Sequence, residues 1–471
     1  MRYIVSIIFG LLIVSTAFGI NDWFSIFYQK NDLQKVNANN VSEIDSLYYT
    51  YAFEGFTEEG DSIMVPVINV AAADSTFRLA VDSIDNVVLR ENIARIYIVT
   101  DIPINDVSDK ENYFSATFRY EAPSGQEGSF ETKVDIKGRG NSTLYYPKKP
   151  YRLKFDKKQT FPGLNKAKSF VLLANYLDNT LMKNAVAFKI AELLEMPFAN
   201  TALPVEVYLN GTKKGNYILT NKVGINSGSV DIDEENGVLW EWDAYFDEPY
   251  RYKTTRFTLP AMIKDPDFTE LGGEDAILTE SYWNFWRADL DLALAKVYDG
   301  RWEEVFDPEQ LAKFVMVNLL TCNREITHPK SMFIYKEKVG KKYCFGPVWD
   351  FDWALGYSYT YDTRIATNTR EGSIFFLKIF ESETFKEVFK KELDKFYSDK
   401  LDDLMDYIES YREEIRISAL QDADLWPAEH QTSSELAPRH AGRFDDNVDF
   451  IKNFILKRIE AIRADSRWLL Y

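Results

Sequence analysis

An α+β fold, with a strand-rich N-terminal half and a helix-rich C-terminal half, is what this 471-residue sequence predicts. Short β-branched and aromatic runs, broken by Gly, Asp and Asn, dominate the first half. Two longer β runs are each divided by a turn signal, Asn210-Gly211 and Gly340, as hairpins are. From residue 283 onward, apolar residues recur mostly at helical spacing. A composition of 46% hydrophobic and 15% aromatic residues is ample for a core, so the chain is not of the disordered class.

The elements follow in order. Residues 1–19, MRYIVSIIFGLLIVSTAFG, place Arg2 before an apolar run and small residues after it, the pattern of a signal peptide. The run is short for a membrane span, with an uncleaved anchor as the competing reading. The expectation is an exported protein (periplasmic, cell-surface or secreted) without a membrane span beyond that signal. Residues 20–94 read as a polar linker and accessory β-strands, among them "SLYYTYAF", "DSIMVPVINV" and "TFRLAVD". "RIYIVTD", "YFSATFRYEA" and "SFETKVDIKGRG" continue the strand pattern. In "NTLMKNAVAFKIAELLE", Leu181, Ala185, Phe188 and Leu193 approximate one helical face, and Pro197 ends it. The hairpin "LPVEVYLNGTKKGNYILTNKV" comes next, then a turn-rich divider, "ENGVLWEWDAYFDEPYRYKTTRF". Residues 283–322 are mostly helical, "SMFIYKEKVGKKYCFGPVW" is a second hairpin, and residues 382–467 form a helical lobe.

Charge and rare residues narrow the function. With 73 acidic against 55 basic residues the net charge is −18, which argues against nucleic acid as a partner. Cys322 and Cys344 are the only cysteines, so the chain is not a disulfide scaffold; one bridge or two buried thiols are both open. A Ser hydrolase lacks its G-x-S-x-G elbow, and no carboxylate pair is singled out for a glycosidase.

Three constellations can carry chemistry. In "DIKGRGNSTLYYPKKPYRLKF", Gly138 and Gly140 flank Arg139, followed by Asn141 and Ser142. A glycine-bearing loop offers backbone N–H groups to an anion, and arginine adds a bidentate phosphate contact. Lys148, Lys149, Arg152 and Lys154 follow, with Arg152 and Lys154 on one face of a strand; a solvated basic edge is the plainer alternative. In "NLLTCNREITHPKSMFIY", Asn323, Glu325, His328, Lys330 and Ser331 lie between an apolar helix end and an apolar strand. Glu325 could orient or deprotonate a hydroxyl, and Lys330 could neutralise charge. The third is "CFGPVWDFDWALG". In a strand Asp350 and Asp352 share a face, and burying them demands a partner: a metal ion, basic side chains or water. Hard carboxylate oxygens suit Mg²⁺. Phosphoryl transfer needs a phosphate cradle, a positioned metal and a group orienting the nucleophile, and the three constellations match those parts.

"IKGRGNST…PKKPYRLKF", "SFVLLANYLDNTLMKNAVAFKIA", "VEVYLNGTKKGNYIL" and "GPVWDFDWALG", in this order, resemble the CotH (spore coat protein H) kinase family over roughly residues 95–471. The resemblance implies a two-lobed atypical protein-kinase-like fold, a strand-rich lobe with one helix over 95–235 and a helix-rich lobe over 236–471. It implies a bacterial enzyme that transfers phosphate from ATP, with Mg²⁺ or Mn²⁺, to a protein hydroxyl in the envelope or outside the cell. By the same resemblance Gly138, Arg139, Gly140, Asn141 and Ser142 cover the nucleotide phosphates and Lys154 is the nucleotide-binding lysine. Asp350 and Asp352 hold the metal, and Glu325 with Asp350 is catalytic. Glu325 stands where the family usually has Asp, Ser331 where it has an Asn metal ligand, and Asn221 where it has an acid. Those departures imply the alternative of a catalytically degenerate binding or structural protein of the cell envelope.

Overall fold

The computed structural model describes the backbone of six strands between residues 24 and 91. It also describes residues 93–464 apart from 103, 105, 124–125, 267–274, 328, 357–370 and 428–443. The predicted signal peptide, His328 and the end of the predicted helical tail lie outside the described residues. The first strands are β1 (Phe24–Gln29), β2 (Asn37–Asn40), β3 (Ile44–Phe56), β4 (Ser62–Ala72), β5 (Ser75–Ala80) and β6 (Asn86–Glu91). They pair into two three-stranded sheets, β2-β1-β6 and β3-β4-β5.

The next seven strands are β7 (Ala94–Thr100), β8 (Phe114–Glu121), β9 (Phe130–Gly138), β10 (Tyr151–Gln159), β11 (Ala167–Leu173), β12 (Leu203–Leu209) and β13 (Thr212–Asn221). They close into a barrel in the order β10-β11-β13-β12-β7-β8-β9, which removes the free edges an open sheet would leave. Strand alternation puts Tyr151, Leu153 and Phe155 inside with Ile96, Phe118, Ile136 and Phe170, all essentially inaccessible. Arg152 and Lys154 are therefore outside. The β12–β13 turn is made by Asn210 and Gly211, both at positive φ, as its dipeptide predicts.

A second core gathers helix α1 (Lys183–Leu193), a five-stranded sheet and six further helices. The sheet contains β14 (Val238–Trp242), β15 (Arg251–Lys253), β16 (Pro260–Asp265), β17 (Met332–Lys336) and β18 (Cys344–Phe345), ordered β15-β16-β14-β17-β18. The helices are α2 (Asp275–Tyr298), α3 (Pro308–Thr321), α4 (Glu371–Phe380), α5 (Glu383–Asp399), α6 (Leu401–Leu425) and α7 (Phe444–Ala464). Two expectations are corrected here. The segment read as a turn-rich divider supplies β14 and β15, because "VLWEW" is buried on both faces and so lacks the alternation of a half-exposed strand. Helix α1 is buried on nearly every side, including Lys183 and Asn184, instead of presenting one apolar face. The β17–β18 hairpin turns through Gly340, as expected.

A buried ion pair fastens the barrel to α6. Lys148 Nζ donates to Asp422 Oδ1 and to the carbonyl of Asn216, each at 2.6 Å, and Asn216 N donates to the same Asp422 oxygen at 2.9 Å. Gly215, at φ +89°, permits this approach: a Cβ there would lie 2.2 Å from Asp422 Oδ1. Cys322 and Cys344 are both half-buried thiols, so of the two readings left open the bridge is not formed. No helix among the described residues is long and apolar enough to cross a membrane.

Candidate active site

A cleft of about 550 Å³ lies between the barrel and the second core, a size suited to a small-molecule ligand. Its barrel side is built by the loop that joins β9 to β10. Gly138 N bonds to the Asp109 carbonyl at 2.7 Å and Arg139 N to that of Pro150 at 3.1 Å, pinning both ends of the loop. Between them Gly140 takes φ +87°, where a Cβ would collide with Thr143 Oγ1 at 2.2 Å. Lys149 Nζ stitches the loop from inside, donating to the carbonyls of Leu144 (2.8 Å) and Tyr146 (3.2 Å). Gly138, Arg139, Gly140, Asn141 and Ser142 all line the cleft. The Arg139 guanidinium lies 5.5 Å from the centre of the Trp349 ring. Burial pulls its pKa down, opposed by the nearby carboxylates of Asp350, Asp352 and Glu241.

The opposite wall carries the acids. Asp350, Asp352 and Glu325 line the cleft, as the sequence predicts, together with Asp243. The backbone beneath the aspartates differs from expectation. β18 ends at Phe345, and Asp350 lies in the following loop with φ +63°, so strand alternation is not what brings Asp350 and Asp352 together. Asn184 Nδ2 donates to Asp352 Oδ1 at 2.9 Å and its Oδ1 accepts from Phe351 N at 2.9 Å, so helix α1 holds the loop. Burial, then the neighbouring Asp350, pushes the Asp352 carboxyl up to about 7. Burial also raises Asp350, with Arg139 pulling the other way.

Glu325 lies on the short 3₁₀ turn Arg324–Thr327, only 5% exposed. Burial and then Asp350 push its carboxyl up to about 8, against the pull of Lys330. Lys330 Nζ is 3.8 Å from Glu325 Oε2, and lies 4.4 Å from the Trp353 ring centre and 5.1 Å from that of Tyr245. Asp243, at the end of β14, organises this loop: its carboxylate accepts from the backbone N–H of Tyr245 (2.7 Å) and of Ser331 (2.9 Å). Burial lifts it to about 6.

Lys154 is the predicted site residue that the fold does not bring here. It is exposed on the outer barrel wall near the Tyr113 ring and is not among the cleft-lining residues. Arg152, one alternation step nearer the loop and directly opposite Lys137 across β9–β10, lines the cleft instead.

A family model described as CotH kinase protein matches residues 136–462. The chain belongs to the CotH kinase family. No curated protein matches it. The CotH region begins inside β9 and ends inside α7, so it takes in the cleft-lining residues from Lys137 to Trp353. Family membership points to a kinase-like function, and hence to nucleotide and metal use in general terms. Asn221, which the resemblance set against an acid, is outside the cleft lining and donates to the Asn165 carbonyl at 2.8 Å. Asn184 lies within a quoted motif and Asp243 within the segment read as a divider, but the sequence gives neither a role, because their contacts to Asp352 and Ser331 are distant in the chain.

The donor set can be tested against a divalent cation. Among the described residues no three His, Cys, Asp or Glu side chains are grouped to hold a metal by themselves. Asp350 and Asp352 offer hard oxygens, and Glu325 Oε2 is buried with no hydrogen-bond partner among the described residues. That set fits Mg²⁺ or Mn²⁺ held by one or two carboxylates, with the rest of its shell from water and substrate phosphates.

Proposed function

We propose that this CotH family member is an exported protein kinase that transfers the γ-phosphate of ATP to a protein hydroxyl in the cell envelope or outside the cell. The observation that carries the reading is the meeting of the 138–142 loop with Asp350 and Asp352 across one cleft. The barrel and the second core are read as the two lobes of a kinase-like fold around a nucleotide. Asp350 and Asp352 would hold Mg²⁺ or Mn²⁺, which neutralises phosphate charge when bound. The backbone N–H groups and Arg139 of the loop would take the phosphate oxygens, and Arg152 replaces Lys154 as the strand cation facing them. Glu325 would accept the proton of the acceptor hydroxyl, with Lys330 steadying its charge. The N-terminal sequence pattern supports export.

One observation favours a second reading, a nucleotide-binding envelope protein without turnover. Burial and then Asp350 raise the Glu325 carboxyl well above its ordinary range, which favours its protonated form and weakens it as a base before substrate and metal bind. The test is incubation of the full chain with labelled ATP, Mg²⁺ or Mn²⁺ and a hydroxyl-rich acceptor protein, beside Asp350→Ala. The kinase reading expects label on protein that Asp350→Ala loses. Equal label with both proteins, or none with either, removes it; nucleotide binding without label selects the second reading.

A further inference from the structure

Asn184 is 3% exposed, in the first turn of α1, and every polar atom of its amide is used. Nδ2 donates to Asp352 Oδ1 at 2.9 Å and to Asn175 Oδ1 at 3.1 Å, while Oδ1 accepts the Phe351 N–H at 2.9 Å. The amide is anchored from behind. Asn175, at φ +49°, donates through Nδ2 to the Leu181 carbonyl at 3.2 Å. Asp178 holds the helix end, accepting the Lys183 N–H at 2.8 Å through one oxygen and that of Thr180 at 2.8 Å through the other. An asparagine serving only its own helix would turn to local backbone groups. This one reaches across 168 residues of sequence and grips the loop twice, at the carboxylate and at the backbone between the two aspartates.

We infer that Asn184 is a positioning residue for the cation site. Its Nδ2 occupies Oδ1 of Asp352 and leaves the other carboxylate oxygen for a divalent cation, and its Oδ1 fixes the peptide that spaces Asp350 from Asp352. The loop has no strand of its own at this point, so α1 supplies the rigidity that a sheet would otherwise give. Partners that orient metal-binding carboxylates typically account for about 10–100-fold in metal affinity. The inference rests on the reading that Asp350 and Asp352 hold such a cation.

The experiment is a titration of the full chain with Mn²⁺ alone, counting free Mn²⁺ by electron paramagnetic resonance, with a metal-free melting curve for each protein. The parent is expected to bind one Mn²⁺ that Asp352→Ala loses. Asn184→Ala should weaken binding at least about tenfold while still melting cooperatively without metal. Asn175→Gly suits the left-handed backbone at that position yet removes the acceptor behind Nδ2, so it should weaken binding by a smaller factor, about threefold. Parent-like affinity in Asn184→Ala overturns the inference. If that variant does not melt cooperatively, Asn175→Gly decides, and unchanged affinity there overturns it. A parent that binds no Mn²⁺ overturns the cation reading itself, and the inference with it.

Discussion

Lys148, Lys149, Arg152 and Lys154 carry the same charge along one short segment, and the fold gives them four surroundings. Lys148 is buried against Asp422, Lys149 bonds the Leu144 and Tyr146 carbonyls of the β9–β10 connection, Arg152 faces the cleft and Lys154 faces outward. A motif match cannot separate them, because what differs is the partner each meets in the folded chain. The geometry makes a contrast that can be measured. Arg152→Ala should weaken Mg-ATP binding about tenfold or more, the scale of a lost charge-assisted hydrogen bond, whereas Lys154→Ala should change it less than about twofold. Calorimetric titration of both variants checks this. Glu325→Gln belongs to the same scale: it should leave nucleotide affinity near the parent's and lower phosphate transfer by about a hundredfold or more, since it removes the proton acceptor. At this scale the sequence pointed to Gly138, Arg139, Glu325, Asp350 and Asp352, which line one cleft, because glycines at a turn and acids among apolar residues are locally conspicuous. Asn184 and Asp243 were not legible, since an amide on a helix and an acid after a strand acquire a role only from the loops that fold against them.

Hairpins and helices were the legible elements. Asn210-Gly211 and Gly340 mark turns by backbone preference alone, and α5 and α7 carry their periodicity openly. β14 was misjudged for the opposite reason: buried on both faces, it shows no period, whereas α1 is legible as a helix but not as one buried on nearly every side. The element that joins the two bodies is α6, and its clamp can be tested directly. Lys148→Met should cost about 3–5 kcal/mol, because it strands the Asp422 carboxylate in a buried site. Lys148→Met combined with Asp422→Leu should recover much of that loss, and urea unfolding of the parent, the two single variants and the double variant reads the cycle. Helix α6 also carries a pH signature. Burial pushes the Glu414 carboxyl up to about 7 from an ordinary value of 4.5. A raised carboxyl favours folding below its unfolded pKa, and this contribution is lost as pH rises through the folded value. Glu414→Gln should therefore gain on the parent by about 2 kcal/mol more at pH 7.5 than at pH 5. Equal differences at the two pH values would contradict the burial of this group.

The whole molecule places a closed barrel, whose interior is filled by its own aromatic and aliphatic side chains, against a core built on a five-stranded sheet. The cleft is what remains where the two curved bodies meet, held by the Lys148–Asp422 clamp. Closure of the barrel was not readable in advance. Each strand was visible locally, but closure requires the parallel pairing of β7 with β12, whose partners are over a hundred residues apart, and no local pattern announces it. The central claim, that loop and aspartates act on one nucleotide-bound cation, is tested most directly by the melting midpoint of the full chain with Mg-ATP, beside Arg139→Ala and Asp350→Ala. A ligand that binds only the folded state raises the midpoint. The account predicts a rise of several degrees for the parent at millimolar Mg-ATP and little or none for either variant, although the two residues stand on opposite walls. An equal rise in all three proteins, or none in the parent, would contradict it.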